Sequence, residues 1–209
     1  ISDFLENNGE EQTKILPDPD NQQKPKNKER AMLSVRDLNV DIQERKTSWT
    51  GKPGTKRIID QVSFDIDQGA IMGLVGESGC GKTTLGRAIL QLIKPTSGTV
   101  LLNGTDLSTL DKNKLRATRK ELQVVFQDPY GSLNPKISIG NALMEPMLVH
   151  HLASTAKEAR DKAAALLETV QLETYHLNRY PHQFSGGQRQ RICIARALAL
   201  EPRFMIFDE

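Results

Sequence analysis

This sequence contains few cysteines and few aromatic residues, and its net charge is close to zero. Its two cysteines, Cys80 and Cys193, lie in a glycine-rich turn and in a helical pattern, so we expect no disulfide and a reducing compartment. The net charge of +2 is too small to indicate binding to nucleic acid or to an anionic membrane surface. No apolar run approaches the roughly 18 residues that a transmembrane helix needs, so a role at a membrane would require docking on a separate membrane subunit.

The composition is nevertheless that of a folded domain. Hydrophobic residues make up 37% and charged residues 26% of the 209 residues, which predicts one globular domain, with subdivisions, that buries a substantial core. Residues 1–30 are highly charged, contain prolines and are poor in apolar residues, so they are predicted to be a linker or disordered tail. Because the chain begins at Ile1 and stops at Asp208-Glu209 directly after an apolar run, we expect it to be a fragment of a longer protein.

One glycine-rich stretch organises the rest of the sequence. Residues 76–83 fit the pattern G-x-x-x-x-G-K-[ST] of a phosphate-binding loop. The apolar run at 70–75 predicts a buried parallel strand before the loop, and helical spacing from Leu85 to Leu92 predicts a helix that Pro95 ends. Glycines let backbone N–H groups surround an anion, the helix N-terminus adds partial positive charge, and lysine and threonine supply an ammonium and a Mg²⁺-ligating hydroxyl. The candidate nucleotide-binding residues here are Gly76, Glu77, Ser78, Gly79, Cys80, Gly81, Lys82, Thr83 and Thr84.

Hydrophobic periodicity predicts the other elements. Residues 33–42 alternate with an irregularity near Asp37, which predicts a strand with a bulge. Asn103-Gly104 predicts a tight hairpin turn after a strand at 98–102, and the two prolines of residues 127–135 predict a loop. Further strands are predicted at 58–66, 122–126 and 204–207, and helices at 111–120, 139–150, 154–170 and 186–200.

A second candidate anion site opens the last predicted helix. Residues 184–188, Phe-Ser-Gly-Gly-Gln, place a serine hydroxyl and two glycine N–H groups at a helix N-terminus, and Arg189 and Arg191 follow closely. Taken alone, the same residues are explained equally well as an ordinary capped helix start.

In chain order, these motifs resemble those of the nucleotide-binding domain of an ABC ATPase. Residues 76–83 resemble the Walker A loop, residues 204–208 the Walker B strand, Gln127 the Q-loop glutamine, and residues 184–188 the family signature, with Phe184 where leucine is commoner. The resemblance covers residues 33–209 and implies an α/β P-loop NTPase fold. Its parts would be a parallel sheet core, an antiparallel β subdomain, and an inserted α-helical subdomain at about 128–198. An ABC ATPase domain at 31–209 would be incomplete at its C-terminus, because it stops before the family's D-loop and switch histidine.

The resemblance also implies ATP and Mg²⁺ as cofactors, with a role for each motif. Lys82 would bind the β- and γ-phosphates, and Thr83 would ligate Mg²⁺. Asp208 would hold the metal directly or through water, and Gln127 would complete its shell. Glu209 would be the general base that polarises the attacking water.

The same resemblance implies a head-to-tail dimer with a second ABC ATPase domain, as a homodimer or heterodimer. The Walker A loop of one copy and the signature of the other would sandwich one ATP, so Ser185, Gly186, Gly187 and Gln188 would contact nucleotide held by the partner. Trp49 would stack on the adenine, and a surface tryptophan in a turn is an equally good interpretation of that residue.

Three stretches narrow the resemblance further. Residues 76–82, 125–135 and 179–182 are similar to those of the ATPases of oligopeptide and dipeptide importers. This implies an ATP-hydrolysing subunit, peripheral on the cytoplasmic face of the inner membrane, with transmembrane permease subunits as partners and a substrate-binding protein as an indirect one. No nucleic-acid partner is expected.

Several alternatives stay open at this point. The cargo could be nickel or a glutathione-like compound, and the protein could be a soluble ABC-type ATPase not tied to transport, or a nucleotide-binding module that does not hydrolyse. Residues 1–30 resemble the spacer of tandem ATPases, which would make residues 31–209 the start of a second half. We expect residues 1–209 alone to bind nucleotide with little or no turnover.

Overall fold

The computed structural model describes residues 14–17, 31–43 and 54–208, and the chain divides into two compact units, Ile1–Asp111 and Lys112–Glu209. The strands are β1 (Lys14–Pro17), β2 (Ala31–Gln43), β3 (Thr55–Asp67), β4 (Met72–Val75), β5 (Ser97–Leu102), β6 (Thr105–Asp106), β7 (Leu122–Val125) and β8 (Phe204–Phe207). The helices are α1 (Lys82–Ile89), α2 (Lys112–Thr118), α3 (Pro129–Ser132), α4 (Ile139–Val149), α5 (Ala156–Thr169) and α6 (Gly186–Leu198). Within the described ranges, no helix is long and apolar enough to cross a membrane.

The first unit contains an antiparallel sheet with the strand order β3-β2-β5-β6. The alternating apolar side chains of β2 form its core, and Leu33, Val35, Leu38 and Val40 are all 0% exposed. Each such side chain contributes about 1.5–3 kcal/mol when it leaves water. The predicted antiparallel pairing of the N-terminal strands is therefore present, with the hydrophobic pattern pointing to one face.

The irregularity predicted near Asp37 is confirmed as a shift in strand pairing. Asp37 has φ +46°, and the β2–β3 register shifts between residues 35 and 38. The buried Asn39 amide satisfies the backbone around it: Nδ2 donates to the Asp37 carbonyl at 2.9 Å, and Oδ1 accepts from the Gln61 N–H at 2.9 Å. Buried backbone groups at a bulge need such partners because the regular ladder is interrupted there.

The predicted hairpin turn is also confirmed. Asn103 and Gly104 have φ of +48° and +77° and join β5 to β6. Two consecutive positive φ values are the requirement of a type I′ turn, and Asn-Gly is its preferred sequence.

The strand before the glycine loop differs from the expectation. β4 pairs antiparallel with β1, and the side chains of Ile71 and Val75 are 79% and 45% exposed. The expectation of a buried parallel strand is therefore wrong for these residues, because an apolar run predicts extended backbone without encoding the partner or its direction. The pairing residues 14–17 lie within the segment 1–30 that was predicted to be a linker or disordered tail. The rest of that segment lies outside the described residues.

Helix α1 is shorter than its sequence pattern suggested. It ends at Ile89, and Gln91 has φ +53°, a left-handed conformation that a right-handed helix cannot continue through. Leu85 and Ile89 lie in the helix and are buried, whereas Leu92 lies beyond the helix and is 48% exposed.

The second unit combines a parallel strand pair with a helical core. β7 and β8 pair in parallel, with Val125 opposite Phe207. Helices α4, α5 and α6 lie close to their predicted positions, and each begins with a hydroxyl cap that accepts from the N–H three residues on. Their common core contains fully buried side chains at Ile139, Leu143, Ala159, Ala163, Leu167, Ile192 and Ala195.

Residues 127–135 are not entirely a loop, since they contain the four-residue helix α3. The Ser132 hydroxyl donates to the Asp128 carbonyl at 2.8 Å, and the Arg196 guanidinium donates to the Ser132 carbonyl at 2.7 Å. The segment is therefore fixed to α6 by a charged donor, which its proline content alone did not predict.

Candidate functional site

The glycine loop of the first unit connects β4 to α1. Gly79 and Gly81 have φ of +87° and +104°, conformations that favour glycine. At Gly81 there is a second constraint, because a Cβ would lie 2.9 Å from Ile59 Cδ1 and 3.1 Å from the Ile58 carbonyl oxygen. The loop thus packs directly against β3 at Gly81, the residue that caps α1.

Lys82 is the first residue of α1, and its side chain turns back onto the loop. Its Nζ donates to the carbonyls of Gly76 and Glu77, both at 2.7 Å, and lies 3.7 Å from Cys80 Sγ. The ammonium is thereby held beside the exposed residues 76–79. A fixed cation next to a loop of glycine N–H groups and a helix N-terminus suits a phosphate group.

Two further predicted residues of the loop belong to α1. Thr83 and Thr84 are half-buried in the first turn of α1, whose first turn contains no acidic residue. An anion at this helix N-terminus would therefore meet no opposing carboxylate from the helix itself.

Cys80 and Cys193 are not joined by a disulfide. Cys80 is half-buried in the loop and Cys193 is buried in α6. Burial raises the pKa of the Cys193 thiol, so this group stays protonated and acts as an apolar core side chain.

In the second unit, the parallel pairing of β7 and β8 brings two predicted metal-site residues to one edge. Asp208 follows β8 and its N–H donates to the Val125 carbonyl at 2.9 Å, which extends the ladder by one bond. Gln127 is exposed two residues beyond the end of β7. The carboxyl ends of adjacent parallel strands share an edge, so a carboxylate and a side-chain amide lie at the same end of this strand pair.

This donor set fits Mg²⁺ better than a softer or more highly coordinating metal. Within the described residues, no group of three or more His, Cys, Asp or Glu side chains could hold a metal ion. Mg²⁺ is usually held by one or two protein oxygens, with phosphate oxygens and water completing an octahedron. The carboxylate of Asp208 and the amide oxygen of Gln127 are hard donors of that kind.

The N-terminus of α6 is closed by a reciprocal capping box. Ser185 Oγ accepts from the Gln188 N–H at 3.3 Å, and Gln188 Oε1 accepts from the Ser185 N–H at 3.0 Å. Ser185, Gly186 and Gly187 are exposed, and a Cβ on either glycine would meet nothing within 4 Å. A capped helix start and a candidate anion site are therefore compatible interpretations of this segment, since the capped start also leaves two glycine N–H groups accessible.

The two arginines that follow have backbone partners. Arg189 Nε donates to the Pro181 carbonyl at 2.8 Å. Arg191 Nη1 donates to the carbonyls of Val170 and Gln171 at 3.3 and 3.1 Å, at the C-terminal end of α5. These bonds join α6 to the segments that precede it.

Sequence reasoning missed His176, a buried residue whose ring packs against Phe184 in the signature-like segment 184–188. His176 is 5% exposed, its Nδ1 accepts from the Glu173 N–H at 3.0 Å, and its ring meets the Phe184 ring edge-on with centroids 5.1 Å apart. Burial, followed by the nearby Arg179, lowers the pKa of His176 and favours the neutral ring that this bond needs. The only sequence signal for this role is a histidine three residues after Glu173, the residue that caps the turn, and that pattern is too common to identify a supporting residue.

Two predicted residues lie outside the described residues: Trp49, predicted to stack on adenine, and Glu209, predicted to be the general base. Their roles stay predictions. The described residues form three groups: the loop at 76–84, the strand ends at Gln127 and Asp208, and the helix N-terminus at 185–188.

The strand, glycine loop and helix with an inward-turned lysine define a P-loop nucleotide-binding fold. Residues 59–209 match the family model described as ABC transporter, so the chain belongs to the ABC transporter family. It is 48% identical over 171 residues to the oligopeptide transport ATP-binding protein OppF of Bacillus subtilis (strain 168), covering 81% of this chain and 56% of that protein. It is 50% identical over 151 residues to the glutathione import ATP-binding protein GsiA of Pectobacterium atrosepticum, covering 72% of this chain and 24% of that protein.

A solved structure shares the fold. It is a dimeric structure of a post-hydrolysis state of the ATP-binding cassette MJ0796 bound to ADP and Pi, with a TM-score of 0.72 and 29% identity over 85% of this chain and 74% of that chain. The chain spans about half the length of the OppF relative and about a quarter of the GsiA relative.

Proposed function

We propose that the protein binds and hydrolyses ATP to power an ABC importer of oligopeptides or dipeptides. The observation that carries this proposal is the Lys82 ammonium, held 2.7 Å from the loop carbonyls of Gly76 and Glu77 beside accessible glycine N–H groups. Such an arrangement binds the phosphates of a nucleotide through charge and backbone donors together. The relation to OppF supports peptides as the cargo.

The remaining motifs have proposed roles in the same activity. Mg²⁺, when bound, would neutralise charge on the phosphates, and the hydroxyl of Thr83 with the oxygens of Gln127 and Asp208 would hold it. Glu209 would accept the proton of the attacking water, and Trp49 would stack on the adenine. The signature-like residues 185–188 would contact nucleotide held by a second ABC ATPase domain, and a homologous cassette is known as a dimer.

Membrane docking is part of the proposal. The partners would be transmembrane permease subunits, with a substrate-binding protein acting through them, and the protein would lie peripherally on the cytoplasmic face of the inner membrane. The relation to GsiA keeps glutathione-like cargo as a second candidate.

Nucleotide binding is tested with the present chain by titrating ATP and Mg²⁺ in a calorimeter, with Lys82→Ala and Lys94→Ala compared. Removing a charged donor costs about 1.5–3 kcal/mol, so Lys82→Ala should weaken binding roughly ten- to hundred-fold. Lys94 is an exposed lysine of the same unit and makes a matched control that should bind as the unmodified chain does. Equal affinities in all three proteins would contradict the phosphate-binding role of Lys82.

Import is tested with the complete gene product in cells that lack peptide uptake. Restored growth on a tripeptide supports peptide cargo. Growth on glutathione but not on the tripeptide would assign the second candidate. Restoration of neither, from a protein that hydrolyses ATP, would favour an ATPase not tied to import of these compounds.

A further inference from the structure

Residues 181–184, which precede Ser185, are hydrogen-bonded to α6, the helix that begins directly after Ser185. Residues Pro181–Gln183 form a 3-10 turn, and the Pro181 carbonyl accepts two hydrogen bonds, from the Phe184 N–H at 3.2 Å and from Arg189 Nε at 2.8 Å. Pro181 is buried and Arg189 is half-buried, so the bond is partly shielded from bulk water. A hydrogen bond from a charged donor is roughly twice as strong as a neutral one.

Arg189 holds both ends of this short segment. Its backbone N–H donates to the Ser185 carbonyl at 2.9 Å as part of α6, while its side chain reaches back to the Pro181 carbonyl at 2.8 Å. One residue therefore connects the start of the turn and the cap of the helix. This fixes the direction in which the backbone enters Ser185.

A second anchor acts on the same segment. The Phe184 ring is 4% exposed and packs edge-on against His176. The buried Phe184 ring and the Arg189 bond together hold residues 181–184 against the protein, while Ser185, Gly186 and Gly187 remain exposed. The exposed residues are thus held by two contacts, both of which lie within the second unit.

We propose that Arg189 is a positioning residue for nucleotide turnover. Its bond to Pro181 orients the exposed N-terminus of α6, with Ser185, Gly186 and Gly187, for contact with nucleotide held by a second ABC ATPase domain. The inference rests on the proposed function. Reacting groups must be placed accurately, and a misplacement of about 1 Å costs roughly a hundred-fold in rate. The alternative role, direct contact of the Arg189 guanidinium with phosphate, makes a different prediction for KM.

The test measures ATP hydrolysis by the complete gene product, as kcat and KM, for Arg189→Met and Arg189→Lys. We expect Arg189→Met to lower kcat about ten- to hundred-fold with KM changed less than about twofold, because the lost bond orients the segment and does not hold ATP. Arg189→Lys keeps a charged donor that can reach the same carbonyl and should restore part of kcat. A several-fold rise in KM would overturn positioning in favour of direct phosphate contact, and an unchanged kcat in Arg189→Met would overturn any role in turnover.

Arg191→Met is the matched control. It removes a guanidinium from the same helix that donates to the carbonyls of Val170 and Gln171 and not to the 181–185 segment. Its kcat should stay within about twofold of the unmodified protein at a comparable change in Tm. If both variants lose kcat in proportion to their loss of Tm, Arg189 has a general structural role and the inference is wrong.

Amide hydrogen exchange gives a readout that does not depend on activity. Exchange at the hydrogen-bonded amides of residues 183–185 should rise in Arg189→Met and not in Arg191→Met, because only the first variant frees the turn. If the unmodified protein exchanges as expected but hydrolyses no ATP, the proposed function fails and the positioning role in turnover fails with it. If it hydrolyses ATP and Arg189→Met does so equally well, the positioning role fails alone.

Discussion

Replacing Gly81 by alanine should destabilise the protein through two separable effects. The first is conformational, because Gly81 has φ +104°, where an L-residue is strained. The second is steric, since the new Cβ would lie 2.9 Å from Ile59 Cδ1 and 3.1 Å from the Ile58 carbonyl oxygen. The carbonyl belongs to a paired strand and cannot move freely, so the contact cannot be relieved by a side-chain rotation alone.

The expected magnitude follows from these two effects. A left-handed backbone costs an L-residue about 1–2 kcal/mol. Overpacking at a well-packed site adds about 1–3 kcal/mol, so Gly81→Ala should lower the free energy of unfolding by roughly 2–5 kcal/mol. Gly79→Ala is the matched control: it has φ +87°, and its Cβ would meet nothing within 4 Å. It should therefore show the backbone cost alone, about 1–2 kcal/mol.

Urea unfolding at equilibrium, followed by circular dichroism, measures both variants at equal m-values. The double variant Gly81→Ala with Ile59→Val tests the contact itself, because valine lacks the Cδ1 methyl that the new Cβ meets. The two changes should be less destabilising together than the sum of the single effects by about 0.5 kcal/mol or more. Equal losses for the variants at residues 79 and 81, or strict additivity in the double variant, would refute the packing of the loop against β3.

Two further predictions concern the second unit. Burial and the nearby Arg179 guanidinium lower the pKa of His176 in the folded state, so the unfolded chain binds more protons than the folded chain. The contribution of neutral His176 to the free energy of unfolding is therefore complete above about pH 6.5, and it is lost as the pH falls from there through the folded pKa. The loss of unfolding free energy between pH 7.5 and pH 5.5 should therefore be smaller in His176→Gln than in the control His182→Gln, and equal losses would contradict this. Gly140→Ala should destabilise α4 by about 1–3 kcal/mol, because its Cβ would lie 2.9 Å from the Leu177 carbonyl oxygen. Gly187→Ala has open space and should be neutral or stabilising in the same urea assay, so a larger loss at Gly187 would contradict the packing argument.

Features that depend on adjacent residues were predictable from the sequence. The Asn103-Gly104 turn and the bulge at Asp37 follow from backbone preferences and side-chain alternation over a few residues, and both are present. The start of α6 at Ser185 is another such feature, because capping residues act within one helical turn. The order of the motifs along the chain was sufficient to indicate the family, which the comparisons confirm.

Features that depend on distant pairing were not predictable. The antiparallel pairing of β1 with β4 involves an apolar run whose partner its own sequence does not specify. Likewise, Arg189 follows a candidate anion site, and its position alone favoured no particular partner. The structure assigns its Nε to the Pro181 carbonyl, eight residues earlier in the chain. Long cationic side chains have many partners within reach, so local sequence cannot select one.

The glycines show why the same residue type needs a structure to be interpreted. A Cβ at Gly81 or Gly140 would lie 2.9 Å from a neighbouring atom, so packing within the protein explains both. Gly186 and Gly187 have helical backbone, and a Cβ on either would meet nothing within 4 Å. Each costs about 0.5–1 kcal/mol relative to alanine in a helix, and no packing within the described residues offsets that cost. We propose that close approach of a ligand to their N–H groups accounts for this cost, since a phosphate uses such groups at a helix N-terminus.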